Sequence, residues 1–239
     1  MGKYLKMQRR GKGSNAYAKP SHRFKADVMF RQGKQQLAKA MCEVVEFVDN
    51  PMHSAPLMRV RYEDNSENVL IAPEGIKIGD KIFEGKEAPV GLGNILKIGD
   101  IPEGLAIYNI EGIPGDGGKY ARAAGSFATI VSRSSSNATV LLPSKRSVDL
   151  DGECRAEIGI VSGGGMEMQP ILKAGKNFYM KHATNQLWPR YRGVKMNPVD
   201  HPFGGKQHHK GFSSMVSRNA PPGRKVGHLA ASRVGRRKR

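Results

Sequence analysis

Three histidines and one carboxylate are the residues whose types and spacing could do chemistry. Asp200 and His201 are adjacent, and His208 and His209 follow within eight residues. Such a set could hold a metal ion or serve a nuclease. However, Gly204, Gly205 and Lys206 intervene, and Asp200 is the only carboxylate between Lys173 and Arg239. Magnesium-dependent phosphodiester chemistry wants several oxygen ligands. The expectation is therefore no catalytic residue and no metal site, with the imidazoles contacting RNA by hydrogen bonding and stacking. His201 is expected to position RNA and not to transfer protons, although Asp200 could fix its tautomer as the neighbour of a general base does. The alternative role for Asp200 is to cap a turn or pair with Arg192.

A second candidate is the run Gly112-Ile113-Pro114-Gly115-Asp116-Gly117-Gly118-Lys119-Tyr120. It resembles a phosphate-binding loop only superficially. The Gly-x-x-x-x-Gly-Lys spacing ending at Lys119 would need glycine at Ile113, and Tyr120 stands where Ser or Thr would bind magnesium. Two readings stay open: an ordinary inter-strand loop, or a loop whose backbone amides approach phosphates, with Lys119, Tyr120 and Arg122 beside it.

Charge decides the class of partner. The 239 residues include 39 Lys and Arg against 21 Asp and Glu, a formal net charge of +18. That surplus implies a polyanion. No apolar run approaches the roughly 18 residues that span a bilayer, and the N-terminus lacks the apolar core of a signal peptide. A soluble, cytoplasmic chain without a membrane partner is expected. Cys42 and Cys154 are too few for a disulfide framework and read as buried small apolar residues.

The charge is unevenly spread. Met1–Lys39 carries 11 basic and 1 acidic residue, Ala40–Leu172 carries 12 and 19, and Lys173–Arg239 carries 16 and 1. This predicts a globular body with two basic arms. The flanks hold too little apolar surface to offset a backbone ordering cost of roughly 1–2 kcal/mol per residue, so they should order only around a partner. Trp188 followed by Pro189, Arg190, Tyr191 and Arg192 mixes stacking surface with charge, as RNA-facing segments do. Pro198 and Pro202 bias Asn197 and His201 toward extended backbone, predicting a stiff, irregular finger.

The middle reads as β structure. Short apolar runs recur at 41–48, 57–62, 69–72, 81–83, 106–110, 127–131, 138–142, 146–150 and 157–161, separated by turn residues. Met58, Val60 and Tyr62 alternate with Arg59 and Arg61, the period of a strand with one wet face. With no long helical pattern between the runs, one or two small barrels fit better than βαβ units. Ile76-Lys77-Ile78-Gly79-Asp80 is echoed by Leu96-Lys97-Ile98-Gly99-Asp100, either by chance or as a duplicated element. The break between barrels is expected near 86–91.

Three functions compete at this point: a structural protein of an RNA-containing assembly, a metal-dependent nuclease or RNA-processing hydrolase, and a free RNA chaperone. Scattered carboxylates without paired motifs argue against the enzyme.

The segment from Arg192 through Asn197-Pro198-Val199-Asp200-His201-Pro202-Phe203-Gly204-Gly205 resembles the signature of the universal large-subunit ribosomal protein two family. Pro114–Gly118 with Ala121–Gly125, Ser21–Lys25, Ala72–Gly75 and Cys154–Ala156 are similar to the same family in the same order. Gln8–Ser14 resembles the archaeal and eukaryotic branch. Bacterial members carry a histidine where this chain has Phe203, so any role of that histidine does not transfer.

The resemblance implies a mainly β chain: a basic N-terminal arm (1–36), an OB-like RNA-binding barrel (37–85), an SH3-like barrel (86–172) and a basic C-terminal extension (173–239). It implies no enzymatic activity. The expected partners are large-subunit rRNA, neighbouring ribosomal proteins and, through an inter-subunit contact, the small subunit, with roles in tRNA placement and around the peptidyl-transferase region. No cofactor is expected beyond magnesium associated with the rRNA. The residues expected on RNA are Arg9, Arg10, Lys12, His22, Arg23, Lys25, Gly117, Gly118, Lys119, Tyr120, Arg122, Arg190, Arg192, Asn197, Asp200, His201, Gly204, Gly205, Lys206, His208, His209, Arg218, Arg224, Lys225, Arg236 and Arg237.

Overall fold

Alternation of apolar and polar residues sets the first four strands. In the computed structural model, which describes residues 4–15, 17–31, 39–134, 136–206, 213–233 and 235, β1 (Ala40–Val48) pairs antiparallel with β2 (Leu57–Tyr62). β2 pairs in turn with β3 (Glu67–Ile71), and the other edge of β1 pairs with β4 (Lys81–Glu84). A register shift between Val44 and Glu46 bends β1, as an extra residue in a ladder does. The inward residues Cys42, Val44, Met58, Val60, Tyr62, Leu70 and Ile82 close a first core.

Six further strands build the second part: β5 (Ile95–Lys97), β6 (Ala106–Tyr108), β7 (Ala128–Arg133), β8 (Asn137–Leu141), β9 (Ser147–Asp151) and β10 (Arg155–Ile158). Leu96, Ile98, Ile101, Ile107, Ile110, Ile130, Val140 and Ala156 form its core. A parallel bridge from Glu84 to Ile95 joins the two halves into one ladder, ordered β3-β2-β1-β4-β5-β10-β6-β7-β8-β9. The chain is mainly β, in keeping with an OB-like barrel followed by an SH3-like one. A third cluster, with Val28, Val48, Leu57, Ile71, Tyr108 and Val161, packs both halves together.

The structure departs from the sequence expectation at several points and decides between the two readings of the Ile-Gly-Asp segments. β5 was not foreseen, because three residues with two buried neighbours show no alternation. The run 106–110 ends as a strand at Tyr108, where Asn109 turns left-handed with φ 47°. The last run begins earlier, at Arg155. The two Ile-Gly-Asp segments are not one duplicated element. Ile78 lies in a turn and is 62% exposed, whereas Ile98 opens a 3-10 turn and is fully buried.

Contacts divide the chain into two units: Ser21–Pro170, the barrel unit, and Met1–Pro20 with Ile171–Arg239, the basic unit. The segment expected as a uniform N-terminal arm is therefore mixed. Its residues Val28 and Phe30 are buried in the barrel unit, since two large apolar side chains there gain more from burial than from wrapping RNA. The basic unit holds α1 (Lys6–Gly11), α2 (Ala174–Ala183) and a parallel pair, β11 (Met215–Val216) with β12 (His228–Leu229).

Candidate nucleic-acid interface

The basic unit contains 22 Lys and Arg and the single carboxylate of Asp200, against 17 basic and 20 acidic residues in the barrel unit. One carboxylate cannot neutralise 22 cations, so the local field is strongly positive and favours an anionic partner. In α1 the Leu5 N–H donates to Gln8 Oε1 at 3.0 Å, closing the first turn, and Arg9 and Arg10 sit at the C-terminal end where the helix dipole favours cations. Lys12 lies over the Tyr4 ring at 4.8 Å. Arg9 and Lys12 are exposed and Arg10 is half-buried. Asn185, past the end of α2, donates to the Ala18 carbonyl at 2.6 Å and so ties the two ends of the chain together.

The finger around His201 is built from backbone turns. Asp200 and His201 N–H groups both donate to the Asn197 carbonyl, at 2.9 and 3.1 Å, and Gly204 N–H donates to His201 O at 2.9 Å. The Phe203 N–H donates to His201 Nδ1 at 3.0 Å, so the neutral ring carries its proton on Nε2. Burial lowers the His201 pKa and favours that neutral form. Gly193 allows this packing, since a Cβ there would overlap the imidazole; Gly204 likewise fits only because a Cβ would strike the backbone of Asn197. Asp200 is exposed and makes no ion pair with Arg192 among the described residues; a backbone amide, not its carboxylate, fixes the His201 tautomer. Arg190, Arg192, Asn197 and Lys206 are exposed around the finger, and Gly205 is half-buried.

Further along, β11 and β12 bracket a turn that presents Arg218, Arg224 and Lys225 on the surface. Gly227, at φ +91°, lets the chain pass Ser214 closely enough for the pairing. His208, His209, Arg236 and Arg237 lie outside the described residues.

The glycine loop corrects one expectation. A bridge between Ile110 and Tyr120 closes it as a hairpin tip. Two of its amides are engaged by acids of the loop itself: Gly112 N–H donates to Asp116 Oδ1 at 3.2 Å and Gly117 N–H to Glu111 Oε1 at 3.3 Å. Gly117 and Gly118 are buried, and a Cβ on Gly118 would overlap Asn109. These two glycines serve close packing, which favours the reading of an ordinary inter-strand loop. Arg122 is also committed: its guanidinium donates to Gly118 O at 2.9 Å and Val28 O at 3.3 Å. Tyr120 is half-buried, leaving Lys119 exposed on the loop. His22 and Arg23, in a 3-10 turn, and Lys25 are exposed as well.

Under the loop lies a buried charge network that the sequence did not disclose. Arg155 Nη2 donates to Glu111 Oε1 at 2.8 Å, and its backbone N–H donates to Glu111 Oε2, also at 2.8 Å. Its Nη1 reaches Glu84 Oε1 at 3.3 Å and Arg31 O at 2.7 Å. Tyr62 donates its hydroxyl to Glu84 at 2.7 Å. Nearby, Asn109 donates to the fully buried Glu157 at 2.6 Å. Burial pushes the Glu157 carboxyl up to about 8, against the opposing influence of hydrogen bonds from Tyr108 and Asn109. The only hint in the sequence was Arg155 and Glu157 alternating with Ala156 and Ile158 in what proves to be a wholly buried strand. Sequence reasoning also passed over Phe178 and Tyr179 of α2, which are exposed beside Lys176 and Lys181.

Taken together, the site defines a β-barrel protein with a strongly basic extension suited to RNA, whose buried acids serve structure. Comparison with known proteins agrees. Residues 91–225 match the family described as Ribosomal Proteins L2, C-terminal domain. The chain is 46% identical to the large ribosomal subunit protein uL2 of Methanopyrus kandleri, over 99% of this chain and 98% of that one. It is 46% identical to the protein of the same name from Methanocaldococcus jannaschii, over the whole of both chains. The counterpart from Methanococcus aeolicus is 45% identical, over 99% of this chain and all of its own. The chain belongs to the ribosomal protein L2 family, in its archaeal form, and is not an enzyme.

Proposed function

We propose that this chain is a structural constituent of the large ribosomal subunit that binds large-subunit rRNA chiefly through its basic unit. The observation that carries the reading is the separation of 22 cations with one carboxylate from a barrel unit that is nearly self-neutral. On this reading the exposed Arg9, Lys12, Arg190, Arg192, Lys206, Arg218 and Lys225 meet phosphates, and Lys119 with His22, Arg23 and Lys25 adds contacts from the barrel unit. The finger around His201 fits into RNA near the peptidyl-transferase region, supporting tRNA placement, and an outer surface supports association with the small subunit and neighbouring proteins. The barrels take the boundaries 37–85 and 86–172 and the C-terminal extension is 173–239, whereas of the segment 1–36 only residues 1–20 belong to the basic unit. Magnesium enters only as a counterion of the RNA.

Sedimentation of cell extract through a sucrose gradient tests the reading. The chain should follow the large-subunit peak and resist release at moderate salt. Its recovery mainly in free fractions would favour a free RNA chaperone instead.

A further inference from the structure

Helix α2 (Ala174–Ala183) has no buried residue. Its three large apolar side chains are all uncovered, with Phe178 at 43%, Tyr179 at 74% and Met180 at 48% exposure. No side chain caps its N-terminus. A ten-residue helix is below the roughly 12–15 residues at which isolated helices become even marginal in water. Thr184 caps only its C-terminal end, donating to the Lys181 carbonyl at 3.2 Å. With no buried residue and no N-terminal cap, this helix needs an external surface, and its composition says which kind. Lys173, Lys176, Lys181 and His182 accompany the aromatics, and no acid lies between Lys173 and Val199. A basic protein partner would be repelled. A partner that is both anionic and rich in apolar faces is RNA with unstacked bases.

The aromatic geometry is already organised. Phe178 and Tyr179 meet edge to face with centroids 5.5 Å apart, and the His182 ring stacks on Phe178 at 5.8 Å and 28°. Phe178 is thus occupied on one face, while Tyr179 stands out as the most exposed ring of the helix. Lys176 is three residues before Tyr179, on the same helix face, where it can reach a phosphate beside a stacked base.

We infer that α2 is a base-stacking platform: an unpaired nucleotide of the large-subunit rRNA stacks on Tyr179, with Lys176 holding its phosphate. The inference rests on the rRNA-binding reading above. Its test is binding of the full chain to protein-free large-subunit rRNA across a salt series, with Tyr179→Ala, Tyr179→Phe and Lys176→Gln. Tyr179→Ala should weaken binding by about tenfold to a hundredfold, with the salt slope unchanged, because stacking is worth roughly 1–3 kcal/mol per base and carries no counterion term. Tyr179→Phe should restore affinity, and Lys176→Gln should lower the slope by about 0.7–0.9. Ultraviolet crosslinking in assembled particles should join position 179 to a nucleotide. Unaltered affinity of Tyr179→Ala while the parent binds in a salt-dependent way overturns the platform, as does a crosslink to protein. Failure of the parent chain to bind overturns the broader reading instead.

Discussion

Buried charges in the barrel unit face other charges, whereas the basic unit has one carboxylate to share among 22 cations. Arg155 lies between Glu111 and Glu84 with nearly every donor engaged. Around the turn from Arg218 to Lys225 the cations stand on the surface. The two arrangements obey the same electrostatics with different solvents. In the low-dielectric interior an ion must bring its counterion with it. On the surface water and salt suffice until a polyanion displaces them. On the proposed reading, the difference teaches that the barrels should fold on internal terms and that the extension should complete its structure on RNA.

The largest effect should come from breaking the internal pairing. Arg155→Ala leaves Glu111 and Glu84 buried without their cation and should cost about 3–5 kcal/mol in urea unfolding of the free protein. A loss under about 1 kcal/mol would show that water already screens the network. Next comes Glu157. Its folded pKa of about 8 lies above the ordinary carboxylate value, so the folded state holds its proton more tightly than the unfolded one. This group's contribution to stability is greatest below the unfolded value and falls as pH rises through about 8. The fall approaches about 1.4 kcal/mol per pH unit inside that window. Glu157→Gln should remove the slope and stabilise the chain at pH 8 relative to the parent. Parallel stability curves for the two proteins between pH 5 and 8 would contradict the assignment.

Smaller effects belong to the extension. Gly193→Ala must displace the His201 ring. It should leave the unfolding of the barrels unchanged while altering chemical protection of rRNA around the finger in assembled particles. His201→Asn keeps an acceptor near the position of Nδ1 and should change assembly and single-turnover peptide-bond formation by less than about tenfold, well short of the 10²–10⁴ typical of a lost general base. A loss of a hundredfold or more with normal assembly would make His201 a participant in proton transfer.

The contrast was partly legible in the sequence. Clusters of like charge and the alternation of Met58, Val60 and Tyr62 announce basic flanks and half-wet strands without a structure. The buried ionisable groups were not legible, because Glu111, Glu157 and Arg155 are single letters that look like any surface charge. The pairing of β10 with β5 and β6 buries Arg155 and Glu157, and Glu111 is drawn in by its bonds to Arg155. Val28 and Phe30 escaped notice for a related reason: a two-residue anchor has no period. The glycine loop misled in the opposite direction, since glycines that let a backbone approach a phosphate also let it approach Asn109.

The most direct test compares cations from the two units in the full-length chain. Doubly neutralised variants, Arg218→Gln with Lys225→Gln and Lys145→Gln with Arg146→Gln, are titrated onto large-subunit rRNA across a salt series. All four side chains are exposed, and the second pair lies in the barrel unit. The account predicts that the first variant lowers the log–log salt slope by about 1.4–1.8, while the second leaves it where the parent has it. An equal drop in both variants would contradict the division of labour between self-neutral barrels and an RNA-completed extension.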